Sequence, residues 1–434
     1  MYVETYGCAL NHADTWLMLS VLEEKGYRRV FSVDEADVII INTCTVRLDT
    51  EERMRRRIKE LYKLAEARNA KLVVAGCMAT AQPYTVKRIA PRAVLVSTSN
   101  VHYVDKAVSK GVDLLREPTT PKTSYVPRVV TAYRREDSIA EIAIEDGCLG
   151  DCSFCITRLA RRHVYSRPLK YVKRLVEEFV RMGVKEIRLT GQDVAVYGID
   201  LEGKRLLPSL LEEIVELPGD FMVRVGMMSP DQAALIIDEL LDAYRHPKVF
   251  KFFHLPVQSG DDRVLKIMKR NYSVDEYRSL VREVRRKIPG ALIATDIIVG
   301  HPGEDEEAFE NTIKLIEELR FERVHVAQYT PRPRTLAAGL PQIPSPVKKE
   351  RSKKVMKVVE RIGWEEHKRY VGSRTTVLVV AHGERGGLDA KLYNYMPVVL
   401  NAGESLPGRW ECVEIVEATW YDLRGKVVGG CGPG

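Results

Sequence analysis

The chain has 434 residues and a formal charge of +7, too long for one ordinary core and only mildly basic, so two or three domains are expected and a polyanionic partner is permitted without being required. Eight cysteines exclude a disulfide-rich secreted scaffold. No signal peptide opens the chain and no apolar run approaches the roughly 18 residues of a membrane span, so a cytoplasmic protein with thiols free for metal is expected.

The first hundred residues alternate strand and helix. Residues 2–6 read as a strand, and 13–25 as a helix with Leu17, Leu19 and Leu22 as its apolar positions. Residues 37–42 form a continuous apolar strand of the buried parallel type. Residues 51–68 form a helix whose first half is very basic (Arg53, Arg55, Arg56, Arg57), and 71–75 is the next strand. The pattern predicts a doubly wound α/β domain over 1–117. Cys8, Cys44 and Cys77 each follow one of the three strands. Strands of a parallel sheet share a carboxyl edge where ligands gather, so these scattered cysteines are predicted to converge. Gly7, Asn42-Thr43 and Gly76 would let the backbone approach a bulky cluster. Three separate core cysteines are the competing reading, and their shared topological position argues against it.

A linker is expected over 118–136, which holds Pro118, Pro121 and Pro127 and has no apolar period. From 137 to 346 the alternation restarts, with strands at 140–145, 186–190, 222–226, 250–256, 292–299 and 323–328 and helices such as 172–182, 231–244 and 306–319. Six units predict an open, partial (β/α)6 barrel, with functional residues on the loops after its strands. After the first strand, Cys148, Cys152 and Cys155 stand in C-x3-C-x2-C spacing. Fe–S clusters are usually tied down by four cysteines; three thiolates would hold three irons of a cubane and leave the fourth open. An open iron suits a ligand with an amine and a carboxylate, such as the methionyl end of S-adenosylmethionine (SAM), a source of radical chemistry. A zinc site would want four Cys or His ligands, and His163 is the sole nearby candidate. Asp193 and Asp296, on later post-strand loops, offer acceptors for ribose hydroxyls or an α-amino group, although each taken singly reads as an ordinary capping residue.

Residues 347–370 form a basic helix (Lys348, Lys349, Arg351, Lys353, Lys354) that needs no role beyond a solvated face. Strands at 375–380, 390–400, 410–419 and 425–428 then predict a small β-barrel over 371–434, of a kind that often binds oligonucleotides. Arg385, Lys391, Tyr393 and Tyr395 offer charge and stacking surface, with aromatic core as the equal alternative. Cys412 reads as structural, and Cys431 has no convergent partner and no assigned role.

Over essentially the whole chain these residues resemble the radical-SAM methylthiotransferase family. The resemblance rests on Cys8-x2-Asn11, Asn42-Thr43-Cys44, Gly76-Cys77, the Cys148/Cys152/Cys155 loop followed by Ser166-Arg167, and Gly191-Gln192-Asp193. His254-x-Pro256-x-Gln258-Ser259-Gly260, Met268-x-Arg270-x-Tyr272, Thr295-Asp296-Ile297-Ile298-x-Gly300 and the Tyr393–Val398 signature of a TRAM RNA-binding domain extend it. The family has branches for isopentenyladenosine in tRNA, for threonylcarbamoyladenosine in tRNA, and for an aspartate of a ribosomal protein. The stretches 224–230 and 329–333 look most like the archaeal and eukaryotic threonylcarbamoyladenosine branch, and the lack of a carboxyl-terminal membrane anchor points to the archaeal type. Three departures stand out: Arg162 where Gly is usual, His301 where Phe is common, and Arg334 where Gly precedes the Thr.

The resemblance implies two [4Fe–4S] clusters, one on Cys148, Cys152 and Cys155 and one on Cys8, Cys44 and Cys77. It implies SAM used twice: cleaved by one-electron reduction to a 5′-deoxyadenosyl radical that abstracts hydrogen from carbon 2 of adenine, and spent as methyl donor to an added sulfur. Gln192, Asp193 and the Phe154 backbone are the expected SAM contacts, followed by Gln258, Thr295 and Asp296; Arg224 and Arg332 are the expected substrate contacts. The expected partners are a tRNA anticodon loop, held by the 51–68 helix and the terminal barrel, with an electron donor and a sulfur donor. No membrane is involved, and the expected state is a monomer.

Overall fold

The computed structural model of the chain describes residues 1–128, 137–383, 386–403 and 405–431; the end of the expected linker, 129–136, and Arg385 lie outside them. Four parallel strands, β1 (Tyr2–Thr5), β2 (Val38–Thr43), β3 (Lys71–Gly76) and β4 (Val94–Val96), lie side by side in that order. β2 is buried at every position, as its unbroken apolar run dictates. Helix α2 (Leu48–Arg68) covers one face through Met54, Ile58 and Leu61, and α1 (Ala9–Glu24) covers the other. α1 begins four residues earlier than its apolar period suggests, because Cys8 caps it and its carbonyl accepts from the Asn11 and His12 amides. It is buried nearly all round. One side meets the amino-terminal sheet, and the other meets the next domain, where the Trp16 indole donates to the Glu141 carbonyl at 2.6 Å.

The second domain is a curved parallel sheet of β5 (Ile139–Ala143), β6 (Glu186–Thr190), β7 (Met222–Val225), β8 (Phe252–His254), β9 (Leu292–Val299) and β10 (Arg323–Gln328). β5-β6-β7 and β8-β9-β10 are laddered, and single bridges Val223–Val249 and Met227–His254 join the two halves. β5 and β10 remain edges, so the barrel is open along one side. Strand alternation sorts the side chains. Ile142, Ile187, Leu189, Val223, Val225, Phe253 and Ile293 join the core beneath the helices, while Glu141, Arg188, Arg224, His254, Asp296 and His325 take the other face and remain partly exposed.

The third domain is a closed barrel of β11 (Arg374–His382), β12 (Leu388–Lys391), β13 (Pro397–Leu400), β14 (Trp410–Ala418) and β15 (Leu423–Val427). The single strand expected over 390–400 is in fact the hairpin β12–β13, which turns at Tyr393-Asn394-Tyr395, with Tyr395 at φ +71°. This barrel plugs the floor of the second domain: Leu392, Tyr395 and Met396 share one apolar cluster with Met222, Phe250, Phe252 and Leu292. The Tyr395 hydroxyl donates to Glu186 at 2.5 Å, and burial lowers the Lys391 ammonium to about 8. Two of the residues expected on an RNA-facing surface therefore point inward. Cys431 also differs from expectation: it forms a disulfide with Cys412, because the tail runs back along β14 and the Val428 amide donates to the Cys412 carbonyl.

Helix α5 (Ser345–His367) joins the second and third domains and packs along β10. Its basic residues do not share one solvated face, since a period of 3.6 spreads them round the axis. Lys348 is buried and donates to the Tyr329 carbonyl at 3.0 Å, and Arg351 is buried against Glu304 at 2.7 Å. In α2, Arg57 is similarly committed to Glu4 and Glu60, and Arg55 to Glu51, leaving Arg53 and Arg56 exposed.

Candidate active site

Cys8, Cys44 and Cys77 come from three carboxyl ends of the first sheet and meet. Burial pushes the Cys77 thiol up to about 12, with Cys44 and Cys8 adding to it, and Arg161 opposing. Cys44 is raised by burial, and Cys8 again adds to it. An asparagine lattice fixes the three loops. Asn11 donates to the Tyr6 carbonyl at 2.8 Å and the Thr43 carbonyl at 3.1 Å, and Asn42 donates to the Asn11 carbonyl at 2.8 Å. Gly7, at φ +110°, has no room for a side chain: a Cβ there would lie 2.9 Å from that of Cys44.

Cys148, Cys152 and Cys155 lie on the loop closed by the Glu145–Asp146 and Tyr165–Ser166 ladder. The Gly150 amide donates to the Cys148 sulfur at 3.2 Å and the Arg270 guanidinium to the Cys152 sulfur at 3.3 Å. Burial and Asp193 push the Cys148 thiol up to about 12. Ser153 pins the loop to the carboxyl end of the helix Asp262–Ile267, its amide donating to the Met268 carbonyl and its hydroxyl to the Ile267 carbonyl.

The two cysteine sets are held against each other. Helix α3 (Cys77–Ala81) opens on one cysteine, and α4 (Thr157–Ala160) starts two residues after Cys155. Cys77, Ala81, Ile156 and Ala160 pack in one small apolar cluster. Arg161, just after α4, is fully buried. It pairs with Asp14 of the first domain and Asp146 of the second, each at 2.6 Å, and donates to Asn11 at 3.1 Å. Lys122 pairs with the same carboxylates at 2.5 and 3.2 Å. Nothing in the spacing of Asp14, Lys122, Asp146 and Arg161 signals this cluster in the sequence.

The expected SAM contacts separate into two groups. Asp193 is buried near Cys148; one carboxylate oxygen accepts from the Ala195 and Ser229 amides, and the other has no partner among the described residues. Burial and Asp231 raise it to about 7. Gln192 precedes it, half-buried. Glu145, also buried, accepts from the Asp193 amide at 2.8 Å, and its second oxygen too lacks a partner. Gly191 is required here, since a Cβ would fall within 1.9 Å of Glu145. On the other side, a cavity of about 680 Å³ brings Phe154, Cys155, Gln258, Asp296, His325 and Arg332 together with Val46–Asp49 of the first domain. Asp296 accepts from the His254 ring at 3.1 Å; burial alone would raise its carboxyl, but that bond holds it below the usual range.

Two of the expected contacts are committed elsewhere. Thr295 points to the helix side of β9, where its hydroxyl donates to the Leu255 carbonyl and accepts from the Val257 amide; alternation makes it face away from its neighbour Asp296. Arg332 lines the cavity wall but is buried as an interdomain clasp on Glu51, the Thr45 carbonyl and the Thr45 hydroxyl. Arg334, at φ +63°, occupies the left-handed conformation that favours glycine; its guanidinium grips the Ala81 carbonyl at the end of α3. His301 is wedged between the Phe154 and Tyr329 rings, at 6.0 and 5.0 Å, and Arg162 is exposed. Arg270, present in the motifs but given no role from sequence, reaches the Ser229 hydroxyl and the Pro256 carbonyl as well as Cys152.

In the lumen, Arg188 is neutralised by Glu186 at 2.5 Å and Glu141 at 3.4 Å. Arg224, beside it on β7, lies over the rings of Phe252 at 4.9 Å and Tyr395 at 5.8 Å. Its Nε has no hydrogen-bond partner among the described residues.

Residues 142–316 match the model of the Radical SAM superfamily, and residues 1–97 that of "Uncharacterized protein family UPF0004". A protein of Methanothermobacter thermautotrophicus called "Probable threonylcarbamoyladenosine tRNA methylthiotransferase" is 40% identical over 419 residues, 96% of this chain and 97% of that one. The "tRNA-2-methylthio-N(6)-dimethylallyladenosine synthase" of Thermotoga petrophila is 34% identical over 435 residues, covering 98% of this chain and 96% of that one. Among solved structures, the radical SAM methyltransferase TsrM of Kitasatospora setae shares the fold, with a TM-score of 0.58 at 17% identity, over 78% of this chain and 75% of that one. A [4Fe–4S] cluster and SAM go with the superfamily. With relatives matched along their full length and both domain models in sequence, the chain belongs to the radical-SAM methylthiotransferases.

Proposed function

We propose that the chain transfers a methylthio group to carbon 2 of N6-threonylcarbamoyladenosine beside the anticodon of tRNA. It is supported by the contact of α3 with α4, which packs Cys77 against Ile156, the residue after Cys155. Each cysteine set would hold one [4Fe–4S] cluster with an iron left open, and together with SAM these groups supply homolysis and sulfur insertion at a C–H bond beyond the reach of a side-chain base. The chain's own task is to bind, orient and exclude water. The unpartnered oxygens of Asp193 and Glu145 suit the α-ammonium of SAM, and Arg270 its carboxylate. Gln258 and Asp296 would line the path of the nucleoside through the cavity.

A dimethylallyl tail is the rival substrate. It is apolar, whereas the threonylcarbamoyl group ends in a carboxylate. Arg224 favours the latter: a lumen guanidinium without a carboxylate partner among the described residues gains by meeting an anion and loses by meeting a hydrocarbon. The test is anaerobic reaction with the two tRNA forms followed by nucleoside mass spectrometry. Arg224→Met should lower kcat/KM on threonylcarbamoyladenosine by about 10–100-fold, as expected for one charged hydrogen-bonded contact, and leave SAM cleavage unchanged. Methylthiolation of dimethylallyladenosine alone would reverse the assignment. Such an activity further requires an electron donor and a sulfur source, and we propose that the chain works on cytoplasmic tRNA as a monomer.

A further inference from the structure

The cavity wall includes Ser352 of α5 and Gln328 of β10. Both residues also line an adjoining shallow groove of about 380 Å³ with Lys349, Lys353, Met356, Lys357 and Glu360. Along α5, positions 349, 353, 357, 360 and 364 fall within an arc of about 80° at 3.6 residues per turn, and all five are exposed, as is Lys368 just past the helix end. Other cations of this helix are spoken for: Arg351 by Glu304, Lys354 by Glu306 and Glu350, Arg361 by Glu317 and Glu365. Lys349, Lys353 and Lys357 have no ion-pair partner among the described residues; Glu360 is the single acid on the stripe.

The stripe ends on aromatic surface. Trp364 is 51% exposed, with the Lys368 ammonium 4.5 Å from its ring. The Trp420-Tyr421 turn of the third domain lies beside it, the Trp420 carbonyl packed on Gly363. Those two rings are 5.4 Å apart, and the Arg323 guanidinium lies 4.9 Å from Tyr421. Three exposed rings, two of them attended by cations, at the end of an unpaired lysine row match what single-stranded nucleic acid binds: phosphates along the row and bases on the rings. The row from Lys349 to Trp364 is about 22 Å long at 1.5 Å per residue, room for several nucleotides. A solvated helix face would explain the lysines but leaves the exposed Trp364 and Trp420 without a reason.

We propose that this face of α5, continued by Trp364, Trp420 and Tyr421, docks the RNA strand flanking the target nucleoside, whose base enters the cavity at Ser352. It rests on tRNA being the substrate. It also moves the RNA contact away from Lys391 and Tyr395, which the floor of the second domain buries.

The experiment measures tRNA affinity of the full chain across salt concentrations for the wild type, for a Lys349→Ala/Lys353→Ala/Lys357→Ala variant and for Trp364→Ala. The triple variant should lower the magnitude of the log K against log salt slope by about 2, from about 0.7 per single-strand phosphate contact. Trp364→Ala should weaken binding by about 5–150-fold with the slope unchanged, one stacked base being lost. Lys353→Glu should bind more weakly than Lys353→Ala. RNA-independent formation of 5′-deoxyadenosine from SAM and a chemical reductant, equal to the wild type, verifies that the variants are folded. If the wild type binds and modifies tRNA and the variants bind as it does, this surface is refuted while the substrate assignment survives. A wild type that ignores tRNA refutes both. Variants that bind RNA normally yet lose turnover only with a protein reductant would assign the face to an acidic electron carrier and overturn the RNA docking.

Discussion

Replacing Arg161 by Met should separate the first two domains more than it harms either one alone. In the wild type, two buried cations, Arg161 and Lys122, balance two buried carboxylates, Asp14 and Asp146. Without Arg161 both carboxylates remain, served by Lys122 alone, and a net negative charge stays in a desolvated site. Breaking a buried pair by removing one partner costs about 3–5 kcal/mol, or roughly a 10²- to 10⁴-fold shift in the equilibrium for opening the contact. Exposed pairs such as Lys173–Glu213 set the comparison at about 0–1 kcal/mol. Hydrogen exchange reads the effect locally: amides of α1 and α4 should exchange faster in Arg161→Met, while those of β9 should not. Adding Asp146→Asn restores neutrality and should recover a large part of the loss. Burial would raise the Asp146 carboxyl, but Arg161 and Lys122 outweigh it and hold it below its ordinary 3.8. The contribution should therefore be present above that pH and fade as pH falls further. Unchanged exchange in α1, or a double variant worse than the single one, would refute the charge-balance reasoning.

Thr295→Val should destabilise the chain by about 1–3 kcal/mol, the cost of buried groups left unbonded, yet leave SAM affinity within about twofold, read by calorimetry beside urea unfolding. Burial and nearby Lys122 lower the buried His102 from 6.5 to about 4. The unfolded chain thus takes up that proton first, and stability should drop by about 3 kcal/mol as pH falls from 6.5 towards 4; His102→Phe should flatten this part of the profile. Thiol titration of the denatured, cluster-free chain should count six reactive groups before reduction, because Cys412 and Cys431 are paired, and eight afterwards.

The strand runs, the open barrel and both cysteine sets were legible because each depends on local signals: apolar periodicity and the position of a residue just past a strand. What escaped depends on which face another domain covers. Lys348 and Arg351 belong to a row that reads as solvated, yet β10 and the loop at Glu304 lie against half of it. Tyr395 and Lys391 carry the chemistry of RNA contact, yet Glu186, more than two hundred residues away, claims the hydroxyl. Thr295 and Asp296 are neighbours in a motif, and only strand alternation tells that they serve opposite sides. β4 is three residues long, too short for any period to show, and the buried Arg161 cluster joins residues whose spacing carries no pattern.

Because Leu392, Tyr395 and Met396 complete the apolar surface beneath Phe250, Phe252 and Met222, the terminal module cannot be trimmed off as an appendage. A chain shortened at about residue 370 would unseal the bottom of the lumen, strip Glu186 of its hydroxyl donor and let water reach Arg224 from below. Loss of activity on such a truncation would report a leaking reaction chamber before it reported anything about grip on RNA.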